Sequence, residues 1–153
     1  MKMQMVHIDL STGTIDTFSV EEGVARRFIG GSGLGTYFYF KYSRPEIDPL
    51  GAENPLIFMN GPFQGTGIPT SGRHQIVSKS PLTGAHGESD AGGTFGFHLL
   101  RGGFYGLIVE GKAEKPVYIV IRNGEVSLRD ASLLWGKDSF ETEQMLKEEF
   151  GGA

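Results

Sequence analysis

The sequence predicts an α+β domain in which one unit, a β-hairpin followed by a helix and a glycine pair, occurs twice. Two observations carry that expectation. Val6–Leu10 and Thr14–Val20 flank the turn Ser11-Thr12-Gly13, and Val117–Val126 repeats strand, turn and strand around Asn123-Gly124. In each place a helical segment and two adjacent glycines follow, Gly30-Gly31 in the first and Gly151-Gly152 in the second. Two unrelated hairpins could share that order by chance; the matching succession of elements favours a duplicated unit.

The elements follow in order. Glu21–Ile29 carries apolar residues at Val24, Phe28 and Ile29 and fits a short helix ending at Gly30-Gly31. Leu34–Tyr42 is a second helix, rich in aromatics and stopped before Pro45. Its aromatic cluster at 37–42 is assigned to core packing, as is Trp135. Asn54–Asn60 and His74–Ser78 are short strands, and Phe104–Glu110 and Val117–Ile121 are stronger ones. The last helix runs from about Asp138 to Phe150. Glu141 and Glu143 sit in its first turn, where the helix dipole favours acids, and read as a solvated face.

Composition then narrows the function. The chain has 153 residues with 39% hydrophobic and 21% charged side chains, the profile of one ordinary globular domain. It has no cysteine, which excludes a disulfide framework, a thiolate zinc site, a cysteine nucleophile and an iron–sulfur cluster ligated by this chain. A net charge of −4 argues against a nucleic-acid or anionic-membrane surface. No signal peptide and no bilayer-spanning run is visible, so a cytoplasmic protein is expected. The 24 glycines stand out: their share is more than twice the usual value of about 7%.

Two glycine motifs fail on context. Gly30-Gly31-Ser32-Gly33-Leu34-Gly35 lacks the preceding strand and the spacing of a dinucleotide fingerprint. Gly106–Ala113 is one residue short of a P-loop, with Ala113 where a magnesium-binding hydroxyl is needed and an apolar strand inside it. The histidines His7, His74, His86 and His98 lack metal-ligand spacing and read as structural or surface residues.

The middle of the chain is more informative. Asn60–Arg73 supplies accessible backbone amides, small hydroxyls and one arginine, and Asp90-Ala91-Gly92-Gly93-Thr94 forms a second small-residue loop. Glycine-exposed amides suit anionic oxygens, and a guanidinium adds a permanently charged, two-pronged clamp. Two readings stand: the loops clasp a phosphorylated ligand, or they are tight turns with no ligand.

Several motifs in order carry a resemblance. They include Gly30–Gly35, Asp48-Pro49-Leu50 with Glu53-Asn54-Pro55-Leu56, Pro69–Arg73, Ser78–Gly84, Gly92-Gly93-Thr94-Phe95-Gly96, Gly111-Lys112-Ala113 and Leu134–Asp138. Together the chain resembles the N-terminal domain of the tungsten- or molybdenum-pterin aldehyde:ferredoxin oxidoreductases over essentially its whole length. That resemblance implies an α+β domain of two similar halves built from antiparallel sheets. It implies a metal held by two pterins whose phosphates meet at a magnesium ion. Arg73 matches the arginine that contacts the pterin, and Asp90, Ala91, Gly92 and Gly93 match the phosphate and magnesium loop, Asp90 being the magnesium contact. The family commonly has asparagine at Asp90, so a side-chain amide donor is lost while a backbone carbonyl would still serve the ion. Gly103-Phe104-Tyr105 also departs from the family's Gly-Tyr-Asp.

The expected function is therefore a single pterin-platform domain, residues 1–153, cut from the start of a longer enzyme. That enzyme would oxidise aldehydes to carboxylic acids and pass electrons through a 4Fe–4S cluster, ligated elsewhere, to ferredoxin. No catalytic residue is expected in this segment. Its partners would be the remaining domains of the same enzyme, with neither nucleic acid nor membrane, and a homo-oligomer is compatible. The alternatives are a stand-alone pterin- or phosphate-binding protein and a small subunit of a split enzyme.

Overall fold

A computed structural model describes residues 2–151; Gly152, which belongs to the second predicted glycine pair, lies outside them. The chain forms β1 (Gln4–Asp9), β2 (Thr14–Ser19), α1 (Glu22–Phe28), α2 (Gly31–Tyr42), β3 (Leu56–Asn60), β4 (His74–Lys79), β5 (His86–Ala91) and α3 (Phe95–Arg101). It continues with β6 (Gly106–Glu110), β7 (Val117–Arg122), β8 (Glu125–Asp130) and α4 (Ser139–Phe150). The mixed α+β class stands.

Six strands make one sheet in the order β2-β1-β6-β3-β4-β5, and β7 pairs with β8 in a separate two-stranded sheet. The hairpin–helix order does recur, but only the first hairpin is built into the large sheet. One pairing is parallel, β1 with β6, within otherwise antiparallel ladders. The parallel pair lies inside the sheet with apolar residues on both faces, as parallel strands require. On one face Met5, Ile57, Met59, Val77 and Ile108 pack against Leu34, Phe38 and Tyr39 of α2. On the other, Val6, Ile8 and Leu107 pack with Leu99 of α3, and Ile119, Ile121, Val126 and Leu128 of the second hairpin close over them.

Gly35 lets α2 lie close to the sheet, because a Cβ there would stand 2.9 Å from Val77 Cγ2. Gly30-Gly31 does not simply end α1. Ile29, at φ 65°, turns the chain, and α2 starts at Gly31, three residues ahead of the expected Leu34. Two apolar assignments are corrected. Trp135 is 77% exposed in the turn between β8 and α4, and Phe40 is 69% exposed on the outer side of α2. Residue type alone does not decide burial. Phe38 and Tyr39 face the sheet, whereas α4, the element after Trp135, buries none of its residues.

Two elements had no sequence signal. β5 reads His-Gly-Glu-Ser-Asp-Ala, a composition poor in strand formers, and is recruited by its full ladder with β4. α3 is a seven-residue helix in what reads as an aromatic segment. No helix among the described residues is long and apolar enough to cross a membrane.

Candidate functional site

The antiparallel β3–β4–β5 ladders gather the expected residues at one end of the sheet. Asn60 pairs with His74, His74 with Ala91, and Gln75 with Asp90. Arg73 therefore enters β4 where β5 exits toward Gly92. The two loops touch there: a Cβ on Gly72 would lie 3.7 Å from the Gly93 carbonyl oxygen. Asp90 and Ala91 are the last residues of β5 rather than loop residues, so the loop proper is Gly92–Thr94. Sequence pattern could not show this, because Ser-Asp-Ala is ordinary turn chemistry until a partner strand claims it.

Each expected residue has a distinct state. Arg73 is exposed and has no hydrogen bond or ion pair among the described residues. Gly92 and Gly93 are exposed, and a Cβ on either would meet nothing within 4 Å. Gly93 has φ +78°, which favours glycine. Open space beside bare backbone is what a large planar or anionic ligand needs. The Asp90 carboxylate accepts a 2.5 Å hydrogen bond from Gln75 Nε2. Among the described residues no three His, Asp or Glu side chains gather as a metal cage.

The hydroxyls of the Asn60–Arg73 loop serve the loop itself. Thr66 Oγ1 donates to the Phe63 carbonyl at 2.7 Å and Ser71 Oγ to the Ile68 carbonyl at 2.7 Å. Thr70 Oγ1 likewise donates to the Pro69 carbonyl at 2.6 Å. What this loop presents outward is backbone, Arg73 and the exposed side chains of Phe63 and Ile68.

Beneath the loops lies a set of buried polar atoms with no partner among the described residues: Asn60 Oδ1, Gln64 Oε1, His74 Nδ1, Gln75 Oε1 and the Tyr105 hydroxyl. Buried polar atoms are almost always satisfied, so five near one end of a sheet mark it as unlike the rest of the interior. Asn60 and His74 face α3, where Asn60 Nδ2 donates to the Gly96 carbonyl at 3.1 Å. Gly96 must be small, since its Cβ would collide with Asn60 Oδ1. Gln75 and Tyr105 face the start of α2, against Gly31 and Gly30. Burial lowers the His74 pKa, so its ring is neutral at pH 7, and burial pushes the Tyr105 hydroxyl up to about 12.

The chain as a whole has known counterparts. The family model "Aldehyde ferredoxin oxidoreductase, N-terminal domain" matches residues 5–153. The chain belongs to the aldehyde ferredoxin oxidoreductase family. It is 47% identical over 148 residues to a tungsten-containing aldehyde ferredoxin oxidoreductase of Pyrococcus horikoshii, covering 97% of this chain and 24% of that protein. It is 36% identical to the WOR-like subunit of an aliphatic sulfonate oxidoreductase of Pyrococcus furiosus, covering 95% of this chain and 24% of that one. Among solved structures, the active-site complex BamBC of benzoyl coenzyme A reductase with 1,5-dienoyl-CoA matches with TM-score 0.95 and 30% identity, over 99% of this chain and 24% of that chain. The chain thus spans about a quarter of the length of the relatives it matches.

Within this family domain, sequence reasoning passed over Asn60, Gln75 and Tyr105. Asn60 closes the apolar run Leu-Ile-Phe-Met and precedes Gly-Pro, so it reads as the end of a strand and the start of the Asn60–Arg73 loop, with nothing to mark it as a buried strut. Gln75 and Tyr105 have no local signal. Their roles arise from the β4–β5 register and from the close approach of α2.

Proposed function

We propose that this chain is the single metallopterin-platform domain, residues 1–153, at the start of a tungsten enzyme that oxidises aldehydes to carboxylic acids and delivers the electrons to ferredoxin. The observation that carries it is the junction of an unpaired, exposed Arg73 with the open backbone at Gly92-Gly93, in a chain of the aldehyde ferredoxin oxidoreductase family. The residues present fit such a cofactor on structural grounds. A free guanidinium suits phosphate oxygens, bare glycine backbone admits a planar group, and five buried polar atoms nearby lack partners.

In this reading Arg73 holds the pterin's phosphate side and Gly92 and Gly93 allow backbone amides to approach it. The Asp90–Ala91 segment would offer a carbonyl oxygen to a magnesium ion, which would supply charge neutralisation for the phosphates. The metal–pterin group supplies the redox chemistry when bound, while the protein binds and orients it. The 4Fe–4S cluster belongs to other parts of the enzyme, since this chain has no cysteine to ligate one. An aldehyde is favoured as substrate because identity to the aldehyde oxidoreductase is 47%, against 36% for the sulfonate enzyme's subunit. Tungsten is favoured over molybdenum by the same relative. The enzyme would work in the cytoplasm, with oxidised ferredoxin as its electron acceptor.

The test is anaerobic expression of the full-length protein, metal and pterin analysis, and aldehyde-dependent reduction of methyl viologen. The reading requires tungsten or molybdenum together with pterin. A correctly folded, anaerobically purified protein containing neither would end it.

A further inference from the structure

The Gly30-Gly31 pair, Gln75 and Asp90 form a connection that the cofactor reading leaves unused. Gln75 lies directly opposite Asp90 in the β4–β5 ladder, so both side chains project to the α2 side of the sheet. Gln75 is hydrogen-bonded at one end of its amide and packed at the other. Its Nε2 donates to Asp90 Oδ1 at 2.5 Å, and its Oε1 lies against Gly31, where a Cβ would stand at 2.6 Å. Gly31 has φ +52°, so glycine serves both its backbone and the space that Gln75 occupies.

Arg73 immediately precedes β4, two residues before Gln75, and the close approach of Gly72 to the Gly93 carbonyl keeps the two chains together just past the end of the ladder, so Arg73 stands near the position diagonal to Asp90. Sheet geometry puts such residues about 7–8 Å apart, within reach of a long side chain. An Arg73–Asp90 ion pair is therefore sterically available, yet none forms. The Asp90 carboxylate turns to Gln75 instead, and Arg73 stays free.

We propose that Gln75 is a positioning residue that holds Asp90 away from Arg73 and so keeps the guanidinium available to the anionic ligand. The inference rests on the reading of Arg73 as a phosphate ligand. It also gives the glycine-rich start of α2 a task, which is to leave room for the amide that restrains Asp90. Without Gln75, Asp90 competes with the ligand's phosphate for the same guanidinium, as a built-in anion.

The test uses the cofactor-free full-length protein with inorganic pyrophosphate as probe, measured by titration calorimetry. Gln75→Ala and the similarly sized Gln75→Met each weaken pyrophosphate binding about tenfold, the scale of one charge-assisted hydrogen bond. Adding Asp90→Asn to either variant returns affinity to within about threefold of the parent, because the competing charge is gone. A merely structural loss would not be repaired by that second change. Unchanged affinity in both single variants, or a double variant as weak as the single, overturns the proposal. Crystal structures of the Gln75 variants separate it from the cofactor reading: an Arg73–Asp90 ion pair supports it even where the parent binds neither pyrophosphate nor tungsten, and its absence refutes it.

Discussion

The two ends of the six-stranded sheet solve the same problem differently. At the end where β1 and β6 finish, polar groups are matched within the protein. His7 Nε2 lies 2.8 Å from Glu110 Oε1, Lys79 Nζ donates to the Pro45 and Ile47 carbonyls at 2.8 and 2.9 Å, and Asn54 bonds Pro49 and both backbone groups of Lys79. At the opposite end, Asn60, Gln64, His74, Gln75 and Tyr105 keep unpartnered atoms, and Arg73 has no counter-ion among the described residues. The α2 axis runs between them, with its electropositive N-terminus at the unsatisfied end. One end is finished as structure. The other is left chemically open, which is the expected difference between a stabilising and a ligand-holding surface.

The comparison can be broken by substitution, and local opening energies from hydrogen exchange on the full-length protein give the readout. Asn54→Ala at the matched end should cost the most, about 2–3 kcal/mol, because three hydrogen bonds are lost and carbonyls are stranded. Gly96→Ala should cost about 1–3 kcal/mol by driving a methyl group into Asn60 Oδ1 and Gln64. A cost near zero would mean that α3 is not tied to β3 as described.

His74 supplies a pH-dependent contrast. Its folded pKa is lowered by burial, so the unfolded state takes up a proton first as pH falls through about 6.5. Stability at the open end should therefore decline below that pH, and His74→Gln should flatten the decline. A profile identical in parent and variant would contradict the assignment. The smallest effect is expected for Tyr105→Phe, within about 0.5 kcal/mol, since the hydroxyl removed has no protein partner to lose.

Much of the fold was legible because it is encoded locally. The β1–β2 and β7–β8 hairpins follow from alternation across Thr12-Gly13 and Asn123-Gly124, and α4 from its acidic first turn and terminal glycine. β5 was not legible, since His-Gly-Glu-Ser-Asp-Ala becomes a strand only when β4 offers a ladder. Trp135 misled because an isolated aromatic carries no information about which face it occupies. At the site, Arg73 and the Gly92-Gly93 loop were visible as chemistry and by resemblance. Asn60, Gln75 and Tyr105 were not, because a buried amide or hydroxyl acquires its role from neighbours distant in sequence.

If the open end holds the cofactor through Arg73, the metal content of the protein depends on that one side chain. Arg73→Ala should leave opening energies within about 0.5 kcal/mol of the parent, because the side chain is exposed and unpaired. In the same purified full-length protein, tungsten and pterin per polypeptide should fall about tenfold or more. Full tungsten and pterin occupancy in the folded Arg73→Ala protein would contradict the account.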